Sequence, residues 1–362
     1  MKAGLRPRWQ QTQAWLRQKR CRALWVVQAA NRRYLTGFTG SAGWVLLPSQ
    51  GRPLLITDGR YQEQARKECP GVAVAICQKD AQNCLSEYLR QQGVRTLAFE
   101  DDRVAVKSWR EMRRACPRVR WVEAAGLIER LRQRKSQDEI SCLRRAIRLA
   151  ETAYARIYPR IKPGLREIDL AQRLEQALHE AGGQGLAFPT IVASGPNSAL
   201  PHAKPTTRKI RRGDLLVMDF GTIYKGYHSD LTRTVAVGKI TPKQREIYKL
   251  VKKAQKEAKK AIISDAFSSE SDKKAREIFK NKGLEEHFVH SLGHGLGLEI
   301  HEAPRLSIRS REKLASGMVV TCEPGLYLPG WGGIRIEDDV LVTSHASQWL
   351  SRSPEDLPLV GR

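Results

Sequence analysis

At 362 residues, 41% hydrophobic and 28% charged, the chain has the make-up of a folded globular protein and the length for two domains; it is not composed like a disordered one. Its 63 Lys and Arg against 38 Asp and Glu leave a formal charge of +25, so nucleic-acid binding is conceivable from charge but not favoured, the excess being spread out with no binding motif. No apolar run approaches the roughly 18 residues of a membrane span, the basic start MKAGLRPRWQQTQ has no signal-peptide apolar core, and seven irregularly spaced cysteines without a CxxC predict reduced thiols in a cytoplasmic protein with no membrane partner.

Residues 1–130 alternate short apolar runs with amphipathic segments. The runs are LWVV (24–27), GWVLL (43–47), PLLIT (53–57), VAVAI (72–76) and TLAFE (96–100), and residues 80–93 carry a helical pattern closed by Gly93. This is an α/β pattern. GFTGSAG (37–43) has the glycines of a phosphate loop but neither its lysine nor the dinucleotide spacing, so it reads as a glycine-rich turn. The charged stretch LRQRKS (131–136), with little to bury, marks a boundary between domains of residues 1–132 and 133–362. Beyond it Ser136 and Glu139 form a capping box, and Ile140, Leu143, Ile147, Ala150 and Tyr154 follow at helical spacing. A second helix is predicted over 164–182 and a strand at TIVAS (190–194). A Lys-rich helical region is predicted over 241–283, interrupted near 264–272.

The central stretch, LLVMDFGTIYKGYHSDLTRTVAV (215–237), has two strand-like runs around a short polar segment, the pattern of an antiparallel hairpin. A turn centred between Tyr224 and Lys225 sets Asp219 directly opposite Asp230, and a one-residue slip keeps both on one face. Facing, buried carboxylates need a shared proton or a bridging cation. Near the C-terminus VVTCE (319–323) and GIRIEDDVLV (333–342) form a second candidate hairpin. Centred on Gly330, it sets Glu323 opposite Glu337, with Arg335, Glu337 and Asp339 on one face by period two.

HSLGHGLGLEIH (290–301) holds three of the chain's eight histidines. His290 and His294 have the spacing of a helical metal pair, but no Glu follows the first, and Gly293, Gly295 and Gly297 point instead to a tight, irregular backbone close to a site. His294 with Asp219, Asp230, Glu323 and Glu337 makes a hard, oxygen-rich set suited to two divalent ions, Mn²⁺ or Co²⁺ first, with Fe²⁺ or Zn²⁺ also admitted. Two ions about 3.5–4 Å apart can share a water and present hydroxide at neutral pH.

DFG…SDLTRT, GHGLG…IHEAP, CEPGLY and GIRIEDDVLVT resemble the motifs of the pita-bread metallopeptidases, specifically aminopeptidase P and prolidase. NRRYLTGFTGSAG and LLITDGRY resemble the creatinase/prolidase N-terminal domain, so the resemblance covers the whole chain. It implies an α/β N-terminal domain over residues 1–132, then an α+β pita-bread catalytic domain over 133–362. Carried over by position, the metal ligands are Asp219, Asp230, His294, Glu323 and Glu337. His202 (in LPHAKP), His290 and His301 match the family's substrate-contacting and proton-handling histidines, and Arg335 matches its substrate-binding arginine.

The implied activity is hydrolysis of the bond between an N-terminal residue and proline by a metal-bridging hydroxide. Glu323 would be ligand and proton acceptor, His202 or His301 would help stabilise the oxyanion, and a histidine would protonate the proline nitrogen. The implied partners are proline-containing peptides and a second copy in a homodimer. Two departures are visible: Cys322 stands where an aliphatic residue is usual, and 261–275 lacks the usual Pro-Gly helix break. A creatinase-type amidinohydrolase or a non-catalytic nucleic-acid-binding relative would be expected to have lost ligands, and methionine aminopeptidase lacks such an N-terminal domain. Dipeptidase and aminopeptidase action stay unseparated.

Overall fold

The computed structural model describes residues 4–78 and 80–361; the first three residues of the basic amino-terminal stretch lie outside them. The described residues gather into two units, divided between Arg132 and Gln133. Among them no helix is long and apolar enough to cross a membrane.

The first unit runs α1 (Leu5–Gln18), β1 (Ala23–Val26), α2 (Ala29–Thr36), β2 (Trp44–Pro48), β3 (Leu54–Asp58), α3 (Gln62–Glu68), β4 (Ala73–Cys77), α4 (Ala81–Gln91), β5 (Thr96–Phe99), α5 (Val106–Ala115), β6 (Arg120–Glu123) and α6 (Leu127–Gln133). Its six strands form one mixed sheet in the order β4-β3-β2-β1-β5-β6. The five apolar runs of the sequence supply β1 to β5; burial on both faces favours continuous apolar residues in the inner strands, whereas β4, at the sheet edge, is largely exposed or half-exposed. Strand β6 escaped that reading: at the sheet edge it is half-exposed and carries Arg120 and Glu123. The glycine-rich 37–43 segment leads into β2, not into a helix, and Arg32 ties it down through the carbonyls of Gly40 and Gly43.

The expectation of seven free thiols fails here. Cys77, the last residue of β4, and Cys84, in the first turn of α4, are joined in a disulfide with their Cα atoms 6.1 Å apart. The strand-to-helix connection folds the two positions together, and a seven-residue spacing carries no sequence signature of that.

The second unit begins with α7 (Gln137–Ile157), α8 (Glu167–Glu180), β7 (Ile191–Ser194), β8 (Leu215–Phe220), β9 (Ile223–Tyr224), β10 (Tyr227–His228) and β11 (Leu231–Val237). It continues with α9 (Pro242–Lys260), α10 (Ser268–Lys280), β12 (Gly293–Gly295), β13 (Glu302–Leu306), β14 (Val319–Cys322), β15 (Gly325–Leu328), β16 (Gly332–Arg335), β17 (Asp338–Val342), β18 (Ser347–Trp349) and β19 (Leu359–Val360). Helix α7 opens on the expected capping box: the Glu139 N–H donates to Ser136 Oγ at 3.3 Å, and the Ser136 N–H to Glu139 Oε2 at 2.8 Å. The break in the Lys-rich region is shorter than expected, 261–267, because Ser268 to Asp272 already belong to α10. Lys135, in the supposed solvated boundary stretch, is buried and ion-paired with Glu302 at 3.2 Å.

Two helix pairs cover two sheets. Leu170, Leu174 and Leu178 of α8 and Ala150 and Ala153 of α7 pack on Leu216, Met218, Leu231 and Val235 of the β8–β11 hairpin. Tyr248 and Val251 of α9 and Phe279 of α10 pack with Val320, Cys322 and Val340 of the β14–β17 pair. Each hairpin thus keeps one face in a helix-covered core, the α+β arrangement expected of a pita-bread domain.

Candidate metal centre

The first hairpin forms with a register one step from the expected one. Lys225 and Gly226 are its two turn residues, at φ 48° and 79°, and Tyr224 pairs with Tyr227 across them. Positive φ at both central residues is the requirement of the primed turn that matches strand twist. In consequence Asp219 pairs with Thr232, not with Asp230. Asp230 falls two residues from Thr232, so both carboxylates stay on one face as diagonal neighbours. That spacing leaves more room between them than direct opposition would.

The second hairpin has the expected register: Gly325 pairs with Arg335 on one side, and Cys322 with Asp338 on the other. Glu323 and Glu337 sit at matching positions in the gap between these ladders. Their backbones bond elsewhere, the Glu323 N–H donating to Leu292 O at 2.9 Å and the Glu337 N–H to Thr232 O at 3.3 Å. The latter bond joins the two hairpins and carries Glu337 to the carboxylates of the first.

His294 lies on strand β12, so no helix carries a His290–His294 pair. Its Nδ1 is 3.0 Å from Gly295 O, an acceptor only, so Nδ1 carries the proton and Nε2 keeps its lone pair. Nε2 stands 3.5 Å from Asp230 Oδ2 and 3.5 Å from Glu323 Oε1. One donor atom each from Asp230, His294 and Glu337 lie within 4.8 Å of one another. The glycines around the histidine are required by this closeness: a Cβ on Gly293 would stand 2.2 Å from Thr321 O, and one on Gly295 would stand 2.3 Å from Ala303 O.

Arg335 is buried among these groups. It donates through Nη2 to Asp219 Oδ2 at 2.5 Å, through Nε to Thr232 Oγ1 at 2.9 Å, and through Nη1 to Pro201 O at 3.1 Å and Tyr327 Oη at 2.8 Å. His290 Nδ1 donates to Ser291 O at 2.8 Å, which leaves Nε2 to accept from Tyr327 Oη at 2.9 Å. His301, an exposed residue, packs its ring edge-on to His294 at 4.4 Å between centroids. His202 is also exposed, near enough to Asp219, His290 and His301 to act on them electrostatically.

Several residues that hold the site carry no signal of their own in the sequence. Thr232 Oγ1 donates to Glu337 Oε2 at 2.7 Å while accepting from Arg335, and Thr321 Oγ1 lies 3.1 Å from both Glu323 Oε1 and the His294 N–H. Asp339, expected on one face with Glu337, accepts from the Asp230 N–H at 3.4 Å. Glu167, the first residue of α8, accepts from Ser194 N and Thr206 N at 2.7 and 3.1 Å, pinning both ends of the segment that carries His202. Cys322 is a buried thiol whose Sγ faces Gln255 O at 3.7 Å.

Burial dominates the electrostatics. It raises Asp219 against the pull of Arg335, and raises Asp230 and Glu337 well above the usual carboxylate range, where their acidic neighbours add to the effect. It lifts Glu323 to about 8 and depresses His294 to about 4 and His290 to about 3. Four carboxyl groups around one guanidinium are short of positive charge. Asp219 Oδ1 is moreover buried without a hydrogen-bond partner among the described residues. Hard oxygen donors with one lone-paired imidazole fit divalent cations such as Mn²⁺, Fe²⁺, Co²⁺ or Zn²⁺.

Residues 141–344 match the metallopeptidase family M24, and residues 8–134 match the creatinase/prolidase N-terminal domain. An uncharacterised peptidase of Bacillus subtilis is 39% identical over 332 residues, 92% of this chain and 94% of that protein. The chain superimposes on an Xaa-Pro dipeptidase from Bacillus anthracis with a TM-score of 0.94 and 38% identity, covering 98% of this chain and 99% of that one. An X-Pro aminopeptidase from Thermotoga maritima follows at a TM-score of 0.89 and 34% identity, covering 95% and 100%. The chain belongs to the metallopeptidase family M24, among its Xaa-Pro peptidases, with a creatinase-type N-terminal domain before a pita-bread catalytic domain.

Proposed function

We propose that the chain hydrolyses the bond between an N-terminal residue and a following proline, with Asp219, Asp230, His294, Glu323 and Glu337 holding two divalent ions, Mn²⁺ by expectation. The observation that carries this reading is the convergence of two buried and two largely buried carboxyl groups and one lone-paired imidazole around a single guanidinium. Bound there, divalent ions would supply Lewis acidity, polarising the scissile carbonyl and acidifying water.

The chain's own residues do the rest. Glu323, beside His294 Nε2 at 3.5 Å, is placed to take the proton of the attacking water once bound cations hold it as the carboxylate. Proline nitrogen carries no hydrogen and leaves only when protonated. His301 and His202, both exposed beside the carboxylates, are the donors at hand and can also bond the developing oxyanion. His290, kept neutral by burial, offers an apolar ring face backed by Tyr327 against which a proline ring can pack. Arg335 has four protein bonds, which leaves one of its five N–H groups for a substrate.

Steady-state hydrolysis of an Xaa-Pro dipeptide and of a longer Xaa-Pro-Yaa peptide, by metal-stripped protein reloaded with Mn²⁺, tests the reading. Cleavage of either or both is expected, and the pattern separates dipeptidase from aminopeptidase action. Asp230→Ala should lose more than the roughly 10–100-fold that removing a mere supporting partner costs. No cleavage of either peptide by protein shown to hold metal would overturn the assignment.

A further inference from the structure

In the first unit, helix α5 and edge strand β6 frame an open groove of about 670 Å³ whose walls include Trp109, Trp121, Arg110, Arg113, Arg114 and Arg120. Between Arg103 and Val122 the only acidic residue is Glu111. Arg110, Arg113, Arg114, Arg118 and Arg120 are all exposed, and among the described residues none of them forms an ion pair. A protein surface normally intersperses charges of both signs; four guanidiniums without an ion-pair partner lining one groove, with Arg118 next to it in sequence, repel one another unless an anion joins them.

The groove is not only basic. Trp109 stacks on Phe99 and Trp121 packs edge-on to Phe99 and Trp25, so both indoles are fixed to the sheet while remaining partly exposed. The Arg113 guanidinium lies over the Trp109 ring, 4.8 Å from its centroid, and caps it with a flat cationic surface, while Trp121, held only by edge contacts, offers the flat aromatic one. Phosphates pair with guanidinium forks, and unpaired bases stack on aromatic and guanidinium planes. The ten residues of α5 extend about 15 Å, which suits a run of phosphates better than a single one. Bases held inside a duplex cannot reach such planes.

We propose that the α5–β6 groove binds single-stranded nucleic acid, with its arginines on the phosphates and its aromatic and guanidinium planes under the bases. This surface involves none of the groups of the metal centre, so it stands or falls independently of the peptidase reading.

The test is fluorescence anisotropy of the full chain with fluorescein-labelled oligo(dT) of about 15 nucleotides over a salt series, read together with quenching of indole emission. Three results are expected: salt-dependent binding, quenching by oligo(dT) but not by heparin, and poor competition by a duplex of equal length. The exposed pair Arg110→Glu/Arg114→Glu should weaken binding roughly tenfold or more and flatten the log–log salt slope by about 0.7 for each phosphate that is no longer neutralised. Its melting temperature should be unchanged, so that misfolding is not what is read. Lys253→Glu/Lys280→Glu, an equal charge change on α9 and α10, should leave binding near the wild-type value. Equal weakening in the two variants, no weakening in the groove variant, equal competition by duplex, or unchanged indole emission would each overturn the proposal.

Discussion

Thr232 shows what a single side chain does in this site. Its hydroxyl donates to Glu337 and accepts from Arg335, linking one carboxylate of the set to the guanidinium that binds another. Thr232→Val keeps the shape, leaves Glu337 freer to turn and strands a buried Arg335 N–H. We expect Mn²⁺ affinity, measured by titration calorimetry, to fall by roughly 10–100-fold. Unchanged affinity would mean that the hydroxyl does not orient the carboxylate. The ligand residues were legible in the sequence because carboxylates at apolar strand ends are costly unless something compensates them. Thr232 was not, because its role depends on Glu337 arriving from a distant strand. The same holds for Tyr327, whose hydroxyl matters only because Arg335 and His290 meet on it.

Local geometry decides what the elements deliver. The second hairpin's register followed from its Gly330 centre, but the first was one step off, because Lys225 takes a left-handed conformation (φ 48°) and joins Gly226 in the turn. A lysine in that conformation gives little warning in sequence. The error cost the direct facing of Asp219 and Asp230 but not their shared face, since a step of the turn centre shifts the pairing by two residues and leaves the pleat unchanged. Disulfide Cys77–Cys84 and the half-exposed edge strand β6 were likewise invisible to pattern reading. Close strand approach makes a sharper prediction. Gly293→Ala would set a Cβ 2.2 Å from the carbonyl oxygen of Thr321, the neighbour whose hydroxyl accepts from the His294 N–H. Overpacking of this kind costs about 1–3 kcal/mol. Urea denaturation should register it, together with weaker metal uptake because His294 must move. A variant as stable as the wild type would show that β12 and β14 yield more easily than their spacing implies.

Across the whole molecule, burying four carboxyl groups makes stability depend on pH and on metal together. With metal stripped, Glu323 holds its proton up to about 8 in the folded state, and Asp230 and Glu337 are raised as well, whereas the unfolded chain releases those protons at the ordinary carboxylate range near 4. The folded state therefore binds more protons than the unfolded one in between, and stability falls as pH rises. Buried His290 and His294, at about 3 and about 4, act in the opposite sense, but only below the ordinary histidine value of about 6.5, above which they are neutral in both states. The metal-stripped protein should thus melt at a lower temperature at pH 8 than at pH 6.5, and saturating Mn²⁺ should abolish that drop. A melting temperature that rises over this interval without metal would contradict the charge deficit.

The measurement that bears most directly on the central claim is calorimetric titration of the metal-stripped chain with Mn²⁺, read as the number of ions bound. A charge-deficient cluster of Asp219, Asp230, His294, Glu323 and Glu337 predicts two ions per chain, with fewer in Asp230→Ala. No binding, or an unchanged stoichiometry in that variant, would mean that the buried carboxyls are neutralised by protons and that the site is not built for metal.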